Sequence, residues 1–183
     1  MKTLQDLFEG TLKDIYFAEN TILKSLPKMI EAVESPELKT AFKNHLQETK
    51  GHVARLNEVF KIINVKPEAK TCPVIQGIVK ETEEVIAETE DADVRDAGVL
   101  ACAQAVEHYE ITRYGTLRAW AEKLELDDAA SLLQETLDEE KAADEKLSEL
   151  AYDVINVEAD EADEDDDAAP AVAQAATKKK KAG

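Results

Sequence analysis

The sequence predicts an all-α protein, built as a four-helix bundle with one long crossover that carries a short fifth helix. Three observations support this class. The apolar residues recur with the 3.6-residue period of helices, the period-two alternation of strands is absent, and the 183 residues include only five prolines and six glycines. The chain is long enough for one domain with a sizeable core.

The first two long helices are separated by a clear stop and start. The first is predicted over about 3–33, with a kink at Pro27 because its ring blocks a backbone hydrogen bond. Residues 35–37, Ser-Pro-Glu, supply an N-cap, a proline at the first helical position and an acid in the first turn. The second helix therefore follows to about Ile63.

A long connection over residues 64–92 separates these helices from the second pair. Within it, residues 74–90 have the pattern of a short amphipathic helix. The third long helix is predicted from near Asp93 to near Leu124, and the fourth ends near Val154. This order of hairpin, crossover and hairpin is the ferritin-like arrangement.

The helical pattern ends near Asn156, which divides the chain into a bundle, 1–156, and a tail, 157–183. Residues 158–167 hold eight acids, and 178–181 are four lysines. Blocks of like charge without an apolar period do not fold alone, so we expect a disordered solubilising tail. The alternative is a tail that docks on a basic partner or an anionic surface.

Composition restricts the partners and the compartment. A formal net charge of −18 repels phosphate backbones, so nucleic-acid binding through the bundle is not expected. The sequence contains no run of 18 apolar residues, so no membrane span is predicted. The first residues also lack the layout of a secretion signal. Because Cys72 and Cys102 form no disulfide framework, we expect a cytoplasmic protein.

Acidic residues interrupt the apolar stripe of the third long helix. The inward position between Val106 and Tyr114 is Glu110, and Glu107 lies one turn earlier. A buried carboxylate without a partner is costly, so it must be neutralised, paired with a cation or bound to a metal. The other long helices repeat this pattern with polar residues on or near their apolar stripes, at Glu19, His45, Glu48, His52, Glu140 and Asp144.

These residues lie at matching heights in the two hairpins. Glu19 lies 16 residues before Ser35, and His52 lies 17 after it. Glu110 likewise lies 16 residues before Leu126, and Glu140 lies 14 after it. Four helices therefore present carboxylates and imidazoles at one level of the core.

Oxygen donors combined with histidine suit iron or manganese, and four carboxylates would cancel the charge of two divalent ions. The alternative is a set of ion pairs, but the cations identified near the stripes flank them, at Lys24, Lys50, Arg113 and Lys141. The pattern therefore predicts a dinuclear iron or manganese site.

The pattern departs from the usual Glu-x-x-His spacing of such sites, because Gly51 lies three residues after Glu48. The choice between His45 and His52, and the role of Glu107, stay open.

Four segments resemble the bacterial YciE/YciF-like stress-protein family: LQDLFEGTLKDIYFAENTILKSLPKM, HLQETKGHVARL, AVEHYEITRYGTL and LLQETLDEEKAADEKLSELA. The resemblance covers about residues 1–156. It implies a ferritin-like, dimeric helical protein with a dinuclear metal site whose reaction is not established. It also implies ligand roles for the residues at matching motif positions, Glu19, Glu48, Glu110 and Glu140.

Two functions follow as expectations. One is a di-metal protein that reacts with oxygen or peroxide, or stores iron, under stress. The other is a metal-free helical module that acts through dimerisation and its charged tail. A homodimer is expected because the short helix and the region of Trp120 leave apolar surface for a second copy. The sequence names no organic substrate and does not decide whether the protein is an enzyme.

Overall fold

The computed structural model describes the backbone of residues 1–167, in which every regular element is helical. The predicted all-α class is confirmed, with four long helices and a short helix in the crossover. The third and fourth predicted long helices are α4 and α5. The elements are α1 (Leu4–Ala32), α2 (Pro36–Ile62), α3 (Pro73–Glu88), α4 (Ala92–Lys123), α5 (Asp127–Leu150), a π-helical turn (Ala151–Ile155) and α6 (Asn156–Asp167).

Side-chain caps fix where the first helices begin. The Asp6 backbone N–H donates to the Thr3 hydroxyl at 3.0 Å, and the Thr3 N–H donates to the Asp6 carboxylate at 3.2 Å. This reciprocal pair satisfies two donors that no helical carbonyl can reach. Ser35 caps α2 as predicted, and Pro27 lies inside α1, which stays helical through it.

A buried carboxylate ties α4 to the turn between α1 and α2. Asp96 is 2% exposed, and it accepts hydrogen bonds from the backbone N–H groups of Glu34 at 2.9 Å and Ser35 at 2.6 Å. Hydrogen bonds to a charged acceptor are stronger than neutral ones. Asp96 therefore sets the position of the first hairpin against α4.

The four long helices form a ring in which each packs against two neighbours. α1 pairs with α2 and α4 with α5, while α2 packs on α5 and α1 on α4. The short α3 covers α4 and also contacts α1. At Gly98 in α4, a Cβ atom would lie 2.7 Å from Val85 Cγ1 of α3. Glycine at this position permits the close approach of α3.

The C-terminal part differs from the prediction. The fourth long helix ends at Leu150, a π-helical turn buries Ile155, and α6 continues to Asp167 against α4. Residues 157–167, predicted as the start of a disordered tail, are thus helical, because the chain leaves the turn in a helical conformation and α6 packs against α4. Residues 168–183, including the lysines, lie outside the described residues. No helix within 1–167 is long and apolar enough to cross a membrane.

Candidate metal centre

The four long helices bring six titratable side chains together at one level of the bundle. These side chains lie on or beside the apolar stripes of their helices, and each belongs to a residue no more than 7% exposed. α1 and α5 contribute one carboxylate each, α4 contributes two, and α2 contributes two imidazoles. The six residues are Glu19, His45, His52, Glu107, Glu110 and Glu140.

The six residues form two groups with the spacing of metal ligands. His45, Glu107, Glu110 and Glu140 form one group, and Glu19, His52 and Glu140 form the other. Within each group, one ligand atom from each residue lies within 4.8 Å of the others. Each group could therefore hold one ion, and Glu140 belongs to both.

The carboxylate oxygens of this layer are poorly satisfied by protein donors. Within the described part of the chain, neither oxygen of Glu110 or Glu140 has a hydrogen-bond partner, and one oxygen each of Glu19 and Glu107 also lacks one. Buried polar groups are normally hydrogen-bonded, so these oxygens require a cation or a proton. Clustered carboxylates with imidazole are a donor set that fits iron or manganese.

His52 is fixed between the buried layer and a carboxylate behind it. Its Nε2 donates to Glu139 Oε2 at 2.9 Å, and Arg55 holds Glu139 through two bonds of 2.7 and 2.6 Å. Nδ1 lies 3.0 Å from Glu140 Oε1 and 3.4 Å from Glu19 Oε1. Neither contact has hydrogen-bond geometry at Nδ1. Nδ1 is therefore the ring atom available to a metal, with Nε2–H held outside the group.

His45 has a similar arrangement with weaker contacts. Its Nε2 lies 3.5 Å from Glu107 Oε1, and its Nδ1 lies 3.8 Å from Glu48 Oε2. The Glu48 side chain is 46% exposed. The structure thus places Glu48 behind His45, towards solvent, instead of within either buried group.

A tyrosine also supports the layer. The buried Tyr114 hydroxyl donates a hydrogen bond to Glu19 Oε1, and the rings of Tyr114 and His52 lie 6.3 Å apart in an edge-on arrangement. The sequence pattern placed Tyr114 only on the apolar stripe. A buried tyrosine usually finds a partner for its hydroxyl, so its position one turn after Glu110 was a usable signal.

Burial and mutual repulsion perturb the protonation of the layer. Burial raises the pKa of Glu110 well above its usual range, and the carboxylates of Glu140 and Glu19 raise it further. Burial likewise raises the pKa of Glu107 and Glu140. Burial alone would lower the pKa of His52, but the adjacent carboxylates of Glu140 and Glu19 raise it to about 11. The layer thus favours bound protons or bound cations.

The predicted ligand set is brought together only in part. Neither Glu48 nor Asp144 belongs to a buried group within the described residues. Asp144 Oδ2 instead lies 3.1 Å from Nε2 of His108, whose side chain is 69% exposed. Both histidines that the sequence left as alternatives lie in the layer, and so does Glu107. The sequence pattern did not indicate Arg55, the cation that holds Glu139.

Residues 3–160 match the family model described as a domain of unknown function, DUF892. The chain belongs to this family. It is 44% identical to protein YciF of Escherichia coli strain K12 over 161 residues, which cover 87% of this chain and 97% of YciF. The predicted resemblance to the YciF-like family is therefore confirmed.

Solved structures share the fold. The crystal structure of the E. coli stress protein YciF has a TM-score of 0.82 at 44% identity, covering 85% of this chain and 99% of that one. YcfI from Rhodopseudomonas palustris, described as a putative structural protein, has a TM-score of 0.79 at 49% identity, with 80% and 94% covered. A Xanthomonas campestris protein, 18% identical, has a TM-score of 0.72 with 88% and 99% covered, and supports the fold alone.

Proposed function

We propose that this family member holds two iron or manganese ions in the bundle core and acts in stress response through oxygen or peroxide chemistry or through iron handling. One observation carries the proposal: two groups of buried ligands share Glu140, and both Glu140 oxygens lack a hydrogen-bond partner within the described residues. A shared carboxylate suits two neighbouring ions. The known link to stress belongs to YciF, which is described as a stress protein.

The charges of the layer suit such a centre. Four buried carboxylates would balance two divalent ions, and the two imidazoles add neutral ligands. Glu139 accepts the Nε2 proton of His52, so an ion that displaces the Nδ1 proton would meet the Nδ1 lone pair inside the layer. When bound, iron or manganese would supply electron transfer to or from oxygen or peroxide.

A second function is favoured by the description of the 49% identical R. palustris relative as a putative structural protein. On that account the chain is a metal-free helical module, and dimerisation and the charged tail carry its function. The homodimer, a basic partner for the tail and a cytoplasmic location stay predictions under either function.

The two functions differ in how the protein responds to iron. We would load the full chain with ferrous iron without oxygen, remove free iron, admit air and follow the near-ultraviolet absorption. The first function predicts a ferric absorption change at two irons per chain. Glu140→Leu should abolish it, whereas Glu145→Leu on an exposed part of the same helix should retain it. Absence of protein-bound iron in the wild type would favour the structural module.

A further inference from the structure

The bundle core is hollow on one side of the polar layer. A cavity of about 240 Å³ lies towards the α1–α2 turn, and all of α1 to α5 contribute to its wall. The wall is mainly apolar and includes Met29, Phe42 and Leu147. On the other side of the layer, buried residues fill the core, including Leu12, Ile15, Leu56, Leu117 and Leu133. The core is thus asymmetric about the layer.

Small side chains create this space. Ala41 of α2, Ala103 of α4 and Ala143 of α5 all face the cavity from different helices. Leucine at any one of these positions would occupy part of the volume. Ligand sites in proteins are mainly apolar clefts with a few polar groups, so three alanines around one such space indicate room for a ligand.

The cavity has a polar inner end and a charged mouth. His45 and Glu107, both more than nine-tenths buried, line it, and both His45 ring nitrogens and one Glu107 oxygen lack hydrogen-bond partners among the described residues. Glu48 and Lys146, with side chains 46% and 60% exposed, lie where the wall reaches the surface. A small molecule could therefore enter from solvent and reach the polar layer.

We propose that the cavity binds a compact, neutral and mainly apolar molecule, such as a bicyclic aromatic compound, whose polar group faces His45 and Glu107. The proposal rests on the proposed function in one respect, because it names the class of substrate that would approach the metal site. An apolar cavity of about 150 Å³ accepts benzene, so this larger one has room for a second ring. Charged ligands are disfavoured because the apolar wall cannot solvate them.

Indole tests the proposal directly. We would titrate indole into the metal-free full chain and follow the methyl NMR signals of Ala103, Val106 and Leu147, with indole-3-carboxylate as the charged comparison. The expected result is saturable shifts at these methyl groups and at least tenfold weaker binding of the carboxylate. Failure of indole to shift these signals up to its solubility limit would overturn the proposal, and so would equal binding of the carboxylate.

Filling the cavity provides a second readout. Ala103→Leu should weaken indole binding at least tenfold, whereas Ala105→Leu, at an exposed position of the same helix, should leave it unchanged. Ala143→Leu fills the space from α5 and serves if Ala103→Leu does not fold. Indole binding retained by a folded filling variant would contradict the proposal. The metal content of the wild type is measured separately. Failure of indole binding can then be distinguished from failure of the proposed metal site.

Discussion

His52 Nε2 lies 2.9 Å from Glu139 Oε2, while Nδ1 of the same ring faces Glu140 and Glu19. The carboxylate behind the ring accepts the Nε2 proton, so Nδ1 is the nitrogen that would exchange its proton for an ion. Arg55 in turn holds both oxygens of Glu139. These contacts orient the His52 imidazole towards the buried layer before any ion binds.

Glu139→Gln should therefore weaken metal binding, because the amide is a poorer acceptor for the Nε2 proton and loses the ion pair with Arg55. Loss of such a supporting partner typically costs about 10–100-fold in metal affinity. Competition with a chelator would measure it. Glu135→Gln is the matched control, since Glu135 contacts Arg55 at 3.2 Å. An equal loss in both variants would show that Arg55, and not the histidine contact, is responsible.

Tyr114→Phe should destabilise the metal-free protein by about 1–3 kcal/mol, because the buried Glu19 carboxylate loses its donor. Urea unfolding after treatment with chelator would measure this change. Tyr152→Phe, at a tyrosine that is 82% exposed, should leave the free energy of unfolding unchanged. A similar stability of Tyr114→Phe and wild type would mean that Glu19 has another donor.

The metal-free protein should become less stable as pH rises from about 5 to 9. The folded-state pKa values of Glu107, Glu110 and Glu140 lie above the ordinary glutamate value of 4.5, and the pKa of His52 lies at about 11 against an ordinary value of 6.5. The folded state thus binds more protons than the unfolded state in this window, so stability is lost with rising pH. Thermal melts at pH 5.5 and 8.5 would show the lower melting temperature at pH 8.5.

Metal-loaded protein should show a weaker or opposite trend over the same window, because protons compete with ions for the carboxylates and imidazoles. The comparison uses the same two buffers, with and without chelator. Identical pH profiles for the two forms would place the bound metal somewhere other than the buried layer.

Glu110→Leu should stabilise the metal-free protein. Both Glu110 oxygens are buried without a partner in the described part of the chain, and the neighbouring carboxylates repel its charge. A leucine side chain removes both the unpaired buried oxygens and the charge repulsion. Each kcal/mol gained in the free energy of unfolding raises the melting temperature by roughly 2–4 °C in a chain of this size. If Glu110 instead balanced a buried cation, the same change would lower stability by about 3–5 kcal/mol. Thermal melts after chelator treatment distinguish the two signs.

The fold was predictable because its signals are local. These signals are the cap at Ser35, the proline at the start of α2 and the 3.6-residue period. Each acts within a few residues, so together they determine the helix limits whichever helices pack against one another. The end of the fourth long helix was predicted less well. Continuation of α6 through the acidic run depends on the π-helical turn and on packing against α4, which no local pattern contains.

The candidate site was predictable to the level of helix faces. Glu19, Glu110 and Glu140 lie at the centres of their stripes and meet in the structure. Glu48 and Glu107 each lie beside a stripe centre, and only Glu107 turns inwards, because the rotation of a helix about its axis depends on the packing across the bundle. Arg55 was missed for a related reason: it reaches Glu139 on α5 from another helix.

Metal content per chain decides whether the buried layer holds two ions. Wild type and Glu110→Leu, both reconstituted with ferrous iron or manganese and freed of excess ion, would be measured by elemental analysis, with Glu110→Gln as the variant of matched shape. We expect two ions per wild-type chain and a sharp loss in both variants. A wild-type chain that holds no metal, or a Glu110→Leu chain that holds as much as wild type, would contradict it.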